Sequence, residues 1–313
     1  MNRRKIQLIA GTTYSVSLPK EWVVKNKLKE KKEVCLLEKN DGTLSISCEP
    51  ATEKQLVEFS LNVDEYPENI SQVLFSLYYL GIENIKLHSK KGLSKEVKKQ
   101  IRKTLTHMTG TEINYEDNNS IQIKVLLDKS KIDFMQVIYR ISLIIDLSLA
   151  NLFEKPDFEE IKLNETEVDR LYHLVAKTTT LSMLNSEVLR SSGIKNMSLI
   201  LSYFLIGKKL ENIGDIIYHL AGRAKEINDN QKEILSFAKI ELARAIKHMM
   251  QGFPGDFCKI GEDKIKTMRE KAAKIKDGFL ADYLEDMIRF IGDIHIEVVN
   301  LSFYMKLIRE NQL

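Results

Sequence analysis

The chain has 313 residues, of which 29% are charged, and its formal net charge at pH 7 is +3. This length exceeds what one small hydrophobic core usually organises, so we expect two or three domains. The near balance of charge excludes a protein that binds nucleic acid along its whole surface, and leaves only a local basic patch for such a role.

The cysteines and the apolar runs indicate the cellular compartment of the protein. Cys35, Cys48 and Cys258 are odd in number and lack Cys-x-x-Cys spacing, which indicates reduced thiols and argues against a disulfide framework or a zinc site. The longest apolar runs, residues 141–145 and 199–206, are too short to cross a bilayer. No uninterrupted signal-peptide segment follows the N-terminus, so a cytoplasmic protein without membrane insertion is predicted.

Residues 1–49 have the pattern of a small β-rich domain. Strands are predicted over residues 4–9, 14–18, 34–38 and 43–47, and a short helix over residues 20–27. The last two strands flank Asn40-Asp41-Gly42, a strong hairpin turn signal. Fewer than 50 residues with a single tryptophan hardly supply a self-sufficient core. We therefore expect a homodimer in which two chains exchange strands.

Parts of this segment resemble a known family. Arg4-Lys5-Ile6-Gln7, residues 11–22 and the Asp41-Gly42 hairpin resemble the AbrB/SpoVT swapped-hairpin DNA-binding domain, in which basic residues of the arm and loops meet DNA. The resemblance implies a DNA-binding set of Arg3, Arg4, Lys5 and Lys20, with Lys25 and Lys27 as phosphate contacts. The alternative is a dimerisation module with solvated charges that no longer binds DNA.

Residues 52–128 alternate between strand and helix patterns. Strands are predicted over residues 56–61, 84–88, 112–115 and 121–126, and helices over residues 67–80 and 94–108. This order indicates a compact α+β domain with an antiparallel sheet, for which a ferredoxin-like arrangement is one candidate. The Lys90-Lys91-Gly92 loop lacks the glycine-rich pattern of a phosphate loop and is interpreted as solvated surface.

The remaining residues are helical in pattern and form two predicted three-helix domains, residues 130–229 and 230–313. The predicted helices cover residues 133–153, 164–189, 197–227, 233–250, 261–276 and 279–309, and Asn164 with Glu167 is expected to cap the second. Ile213-Gly214-Asp215-Ile216 returns as Ile291-Gly292-Asp293-Ile294. This recurrence indicates two copies of one helical unit.

Two helices of the first copy carry acid, acid and histidine at four-residue spacing: Glu165, Asp169 and His173, then Glu211, Asp215 and His219. Side chains four residues apart share one helix face. Two such helices side by side would pool four carboxylates and two imidazoles, a set that suits a metal cation of intermediate hardness. The alternative is a web of salt bridges with Arg170, Lys208, Lys209 and Arg223.

Residues 168–172 (Val-Asp-Arg-Leu-Tyr) and 210–215 (Leu-Glu-Asn-Ile-Gly-Asp) resemble the PhoU family of phosphate-uptake regulators, and the resemblance extends over residues 130–313. With the AbrB-like domain, the chain is similar to the archaeal type of that family. The family's Leu-Glu-Arg-Ile-Gly-Asp motif implies metal ligation by Glu211 and Asp215, with iron, zinc, magnesium or manganese as the ion.

The chain departs from the family motif in both copies. Asn212 stands in place of the motif arginine, and in the second copy Arg289 occupies the position of the glutamate before Asp293. A matching metal site is therefore not expected there, unless other acids of the same helix substitute. Those acids are Asp282, Asp286 and Glu297.

The resemblance implies a phosphate-uptake regulator, a DNA-binding protein whose helical bundle senses or relays phosphate status through a metal or a partner. The alternative is a scaffold that binds no DNA and contacts a phosphate ABC-transporter subunit or a signalling kinase. A carboxylate-bridged redox enzyme is a third class. The bundle has no Glu-x-x-His pair and the chain no Gly-x-Ser-x-Gly motif, so an enzyme is not expected.

Overall fold

The computed structural model describes residues 3–28, 33–38, 43–48, 58–153, 156–223 and 227–310. The chain divides into two compact units, Met1–Gln55 and Leu56–Leu313. The second unit contains the predicted domains of residues 52–128, 130–229 and 230–313 almost entirely, and their boundaries stay predictions. The mainly helical class with a strand-rich N-terminal region is confirmed, whereas exchange of hairpins between chains stays a prediction.

The first unit consists of two hairpins and one short helix. Its elements are β1 (Gln7–Ile9), β2 (Thr13–Ser15), α1 (Lys20–Lys25), β3 (Cys35–Glu38) and β4 (Leu44–Ser47). β1 pairs antiparallel with β2, and β3 pairs antiparallel with β4. The Asn40-Asp41-Gly42 turn lies outside the described residues. No described side chain of this unit is buried, and Ile6 and Tyr14 are at least 70% exposed.

The second unit begins with a four-stranded sheet and two helices. The elements are β5 (Glu58–Asn62), α2 (Ile70–Tyr79), β6 (Asn84–His88), α3 (Lys95–Thr106), β7 (Thr111–Glu116) and β8 (Ser120–Val125). The strand order is β5-β6-β8-β7. Ile85 and Leu87 of β6 alternate with Lys86 and point into a core shared with Leu74 of α2 and Ile101 of α3. We call this part the α+β region.

The prediction of an antiparallel sheet is wrong for one strand pair. β5 and β6 are parallel, whereas the β6–β8 and β7–β8 pairs are antiparallel. The reason is that α2 crosses over between β5 and β6, and a strand–helix–strand connection returns the chain in the same direction. The element order, strand–helix–strand–helix–strand–strand, also differs from the ferredoxin-like order.

The rest of the second unit is a helical bundle. Its helices are α4 (Phe134–Phe153), α5 (Phe158–Leu184), α6 (Ser186–Ser191), α7 (Ile200–Arg223), α8 (Asp229–Met250), α9 (Glu262–Ala272) and α10 (Gly278–Arg309). The long helices form two successive sets, α4, α5 and α7, then α8, α9 and α10, which share one hydrophobic core. α7 contacts α5 on one side and α10 on the other, so it lies at the junction of the two sets.

The predicted start of α5 is wrong. The helix begins at Phe158, because Asp157 caps it by accepting hydrogen bonds from the backbone N–H groups of Glu159 and Glu160. Asn164 therefore lies inside the helix, where its amide donates to Ser148 Oγ over 3.1 Å. The helix also ends earlier than predicted, at Leu184, since Asn185 caps a separate helix, α6.

One described helix, α4, is long and apolar enough to cross a membrane by length and composition alone. Its buried residues, among them Ile138, Ile141 and Ile145, pack into the bundle core. A core helix of a soluble protein has the same composition, so the structure is consistent with a soluble protein.

Candidate metal centre

Three carboxylates converge where α5 packs against α7. Glu165, Asp169 and Asp215 each offer one carboxylate oxygen, and these three oxygens lie within 4.8 Å of one another. The four-residue spacing places Glu165 and Asp169 on one face of α5, and α7 brings Asp215 to that face. Among the described residues this is the only such group of three acids, histidines or cysteines. We call it the acid cluster.

Close helix packing produces this convergence. Gly214, the residue before Asp215, faces Val168, the residue before Asp169, and a Cβ at position 214 would lie 3.1 Å from Val168 Cγ1. Two turns earlier in α7, a Cβ at Gly207 would lie only 2.7 Å from Val175 Cγ1. The two glycines let the helix backbones approach, which carries the carboxylates toward each other.

The acid cluster is electrostatically crowded. Burial, reinforced by the charges of Glu165, Asp215 and Glu211, raises the pKa of Asp169 to about 7. Burial and the charge of Glu165 also raise the pKa of Asp215. Like charges in a partly desolvated site favour uptake of a proton or a cation. A bound proton or cation would therefore stabilise the cluster.

Glu211 lies on the same face of α7 as Asp215 but already forms an ion pair with Lys208. Its Oε2 lies 2.5 Å from Lys208 Nζ, and this ammonium lies 4.9 Å from the centre of the Tyr172 ring. Burial still raises the pKa of Glu211, because it outweighs the attraction of Lys208. Lys208 therefore holds Glu211 and leaves the cluster itself without a direct ion pair to lysine or arginine among the described residues.

The other cations that could have formed a salt-bridge web are engaged elsewhere. Arg170 binds Glu167, with 2.7 Å between Nη2 and Oε1, and Lys209 binds Asp293 over 2.6 Å. Arg223 lies over the Phe279 ring, 4.4 Å from its centre. The donor set is thus three hard oxygen ligands with excess negative charge, which fits a divalent or trivalent cation.

His107 lies at the edge of the acid cluster, and sequence reasoning missed it. This residue ends α3 of the α+β region. Its Nδ1 is 3.9 Å from Asp169 Oδ2 and is a buried atom without a hydrogen-bond partner. No local pattern could have revealed it, because α2 packs against both α3 and α5, and only this tertiary arrangement brings His107 to Asp169.

The family comparison bears directly on these helices. Residues 135–224 match the family model described as PhoU domain. We call residues 135–224 the PhoU domain. The match includes Glu165, Asp169, Glu211 and Asp215, and this domain indicates a role in phosphate-uptake regulation. PhoU-family proteins are regulatory. Searches of curated proteins and of solved structures gave no significant match.

His173 of the PhoU domain lies beside the acid cluster but has partners of its own. Its Nδ1 is 2.5 Å from the Tyr79 hydroxyl, and its ring stacks on Phe75 with 3.8 Å between ring centres. Burial, then the charges of His107 and Lys208, lower the pKa of His173 to about 4. The residue is neutral near pH 7 and joins the PhoU domain to the α+β region.

His219, the other predicted histidine ligand, is exposed. Its ring stacks almost parallel on Tyr283, with 5.1 Å between ring centres. It is not part of the group of three carboxylates. Metal ligation by His173, His219 and Glu211 stays a prediction.

The helices after the PhoU match repeat the packing but not the acids. Gly292 faces Ile265 as Gly214 faces Val168, so Lys266 takes the position of Asp169 and Arg289 that of Glu211. Asp286 pairs with Arg289 over 2.6 Å, and Glu297 accepts a hydrogen bond from Asn300. Asp282 is exposed. Among the described residues, no second acid cluster forms here.

The predicted DNA contacts all lie in the first unit. All six side chains are exposed: Arg3, Arg4, Lys5, Lys20, Lys25 and Lys27. Lys20 and Lys25 begin and end α1, and Lys27 follows it with a positive φ of 52°. Their contact with DNA stays a prediction.

Proposed function

We propose that this protein is a phosphate-uptake regulator whose PhoU domain binds a divalent or trivalent cation at Glu165, Asp169 and Asp215. The single observation that carries the proposal is that the PhoU match covers the helices whose carboxylates converge. The protein acts in the cytoplasm as a regulator and not as an enzyme.

The three carboxylates would hold the ion, and the bound ion would supply the positive charge that the crowded acids lack. Two oxygens bound to one small cation at about 2.1 Å lie about 3 Å apart in cis and about 4.2 Å apart in trans. The observed limit of 4.8 Å is close to these values, so small side-chain rotations suffice. Carboxylate oxygens are ligands that suit magnesium and manganese, whereas imidazole nitrogens suit iron and zinc.

Elemental analysis tests the metal site directly. We expect the purified wild type to contain a metal ion that the Asp169→Asn, Asp215→Asn double variant has lost. The matched control is Asp282→Asn, Asp286→Asn, which removes two acids of α10 that lie outside the acid cluster and should keep the metal. Equal metal content in the wild type and the cluster variant would refute the site.

The regulatory role is tested in the host organism. Deletion of the gene should derepress phosphate uptake in phosphate-rich medium, measured with radiolabelled phosphate. Wild type should restore repression, and the cluster double variant should not. Unchanged uptake after deletion would contradict the regulator, whereas full rescue by the cluster variant would separate regulation from the ion.

We further propose that the first unit binds DNA as a homodimer with exchanged hairpins. Two observations support this: six exposed basic side chains lie in this unit, and no described side chain of it is buried. A unit whose described side chains are all at least partly exposed needs a partner to remove its apolar side chains from water. A second copy of the same unit, with the same exposed Ile6 and Tyr14, would supply that surface.

A scaffold that contacts a phosphate transporter subunit or a signalling kinase is the second candidate. One observation favours it: Tyr139, Leu143 and Leu147 of α4 form an exposed apolar stripe at four-residue spacing. Beside it, a groove of about 570 Å³ separates α4 from α8. Exposed apolar patches of this kind mark interaction surfaces. Co-purification of a transporter subunit or kinase, lost in Leu143→Glu, together with failure to retain DNA, would select the scaffold.

A further inference from the structure

We propose that His107 of the α+β region is an additional ligand of the ion held by the acid cluster, so that one cation joins this region to the PhoU domain. The inference rests on the proposed metal site. It adds a ligand that lies outside the PhoU match, which covers residues 135–224.

The first argument for this ligand is the distance between His107 and Asp169. Their nearest side-chain atoms, Nδ1 and Oδ2, are 3.9 Å apart, which is too far for a hydrogen bond. Two ligand atoms about 2.1 Å from one ion lie about 3 to 4.2 Å apart, depending on their angle at the metal. The observed separation from Asp169 is therefore in the range for a shared cation. His107 lies outside the group of oxygens that are within 4.8 Å of one another, so its ring would turn toward Glu165 and Asp215 when the ion binds.

The second argument is that His107 Nδ1 lacks a hydrogen-bond partner. This atom is buried and has no hydrogen-bond partner. Buried polar atoms in folded proteins are nearly always paired, and an exception calls for a water or an ion as partner. A metal ion between Nδ1 and Asp169 would satisfy both groups, since imidazole nitrogen and carboxylate oxygen are common ligands of the same cations.

The third argument is that a hydrogen bond ties the loop after α3 to the PhoU domain. Arg170, the neighbour of Asp169 in α5, donates from Nη1 to Thr109 Oγ1 over 3.1 Å. The Tyr78 hydroxyl donates to the Thr109 carbonyl over 3.1 Å. Thr109 lies two residues beyond His107, so the Arg170 bond holds the backbone beside His107 next to α5 before any ion binds, and the Tyr78 bond ties the same loop to α2.

An ion can reach this position from solvent. A cavity of about 340 Å³ between α2, α3 and α5 has His107, Asp169 and His173 in its wall. Ser71, Phe75, Gln100, Lys103 and Thr104 complete the lining. Its hydroxyl and amide groups suit a hydrated cation, and the Lys103 ammonium opposes one. Binding would then strengthen the contact between His107 at the end of α3 and Asp169 of α5, which couples ion occupancy to the α+β region.

Electron spin-echo envelope modulation of bound Mn²⁺ tests the proposal, because it detects a directly coordinated ¹⁴N nucleus. We expect ¹⁴N modulation in the wild type and its loss in His107→Gln, with Mn²⁺ affinity about ten-fold weaker in calorimetric titration. His88→Gln is the matched control, since His88 lies in the same region and its Nδ1 bonds to Ser60 Oγ. It should leave both measurements unchanged.

The outcomes separate this inference from the metal site itself. Modulation that persists in His107→Gln, or that disappears in His173→Gln instead, would overturn the role of His107 while leaving the site intact. A wild type that binds no Mn²⁺ would overturn both. Loss of binding in Asp215→Asn identifies the acid cluster as the site. Circular dichroism and thermal unfolding of each metal-free variant exclude misfolding as the cause.

Discussion

Gly214 of α7 lies directly against Val168 of α5, with room for no side chain between them without a shift. The next residue in each helix is a carboxylate of the acid cluster, Asp215 and Asp169. The contact between Gly214 and Val168 therefore determines both how closely the helices pack and how far apart the two carboxylates lie. Replacement of this glycine tests both at once.

We expect Gly214→Ala to weaken Mn²⁺ binding, because the added Cβ would lie 3.1 Å from Val168 Cγ1 and push the helices apart. Gly207→Ala, with a contact of 2.7 Å to Val175, should lower the free energy of unfolding by about 1 to 3 kcal/mol. Gly292→Ala is the control, since its Cβ would meet Ile265 at an ordinary 3.5 Å. It should be neutral or stabilise by about 0.5 to 1 kcal/mol. Equal effects of all three changes would contradict the packing argument.

Asp169 should make the metal-free protein less stable as pH rises. Its pKa is raised to about 7 from an ordinary value of 3.8, so the folded state holds a proton that the unfolded state releases. The contribution to stability is full below pH 4 and is lost as pH rises to about 7, at no more than about 1.4 kcal/mol per pH unit. Urea unfolding of Asp169→Asn with a chelator present should lack this loss. Glu159→Gln on the exposed side of α5 should retain it, and Mn²⁺ should reverse it in the wild type at pH 8.

Lys208 should oppose metal binding. Its ammonium holds Glu211 and adds positive charge near Asp169 and Asp215. We expect Lys208→Met to raise Mn²⁺ affinity several-fold, since the change frees a fourth carboxylate and removes a repelling charge. Lys209→Met is the matched control, because the adjacent Lys209 pairs with Asp293 instead. Calorimetric titration would contradict the argument if both variants bound Mn²⁺ like the wild type.

Lys177 should give the protein a stability that rises in alkaline solution. It is 2% exposed, and its Nζ donates to the Tyr78 carbonyl over 2.7 Å. Burial, then the charge of Lys129, lowers its pKa to about 7 from 10.5. Between these values the unfolded state binds the extra proton, so the free energy of unfolding increases with pH from about 7 upward. Lys177→Met should flatten this rise between pH 7 and 9.5 in urea unfolding. Lys247→Met, on the exposed side of α8, should not.

DNA binding by the first unit should depend steeply on salt. Each phosphate-contacting lysine or arginine releases about one counterion, so Arg4→Gln and Lys20→Gln should each reduce the slope of log affinity against log salt by about 1. Fluorescence anisotropy of labelled duplex DNA measures this slope. Lys274→Gln, an exposed lysine after α9, serves as the control. No retention of DNA by the wild type at low salt would refute DNA binding.

Much of the helical part was predictable because its signals are local. Apolar periodicity predicted α4, α7, α8 and α10 within a few residues, and four-residue spacing placed Glu165 and Asp169 on one face. The start of α5 was missed because Asn164 imitates a cap, whereas Asp157 forms one. The β5–β6 pair was missed because strand direction depends on where a helix crosses the sheet.

The candidate centre was predictable only in part. Asp215 lies with Glu165 and Asp169 in the structure, and metal ligation by these residues stays a prediction. The local pairing of Glu211 with Lys208 competes with ligation, and spacing does not reveal such competition. His219 stacks on Tyr283 of α10, a neighbour that is distant in sequence. His107 reaches the cluster from another part of the fold, and only tertiary packing brings it there.

The ion pair between Lys209 and Asp293 has a consequence for unfolding. Asp293 occupies the position in α10 that Asp215 holds in α7, yet it pairs with a lysine of α7 and joins the two helix sets. The two sets also share one hydrophobic core. Neither set can therefore melt while the other keeps its packing, and heat should unfold them in a single cooperative transition.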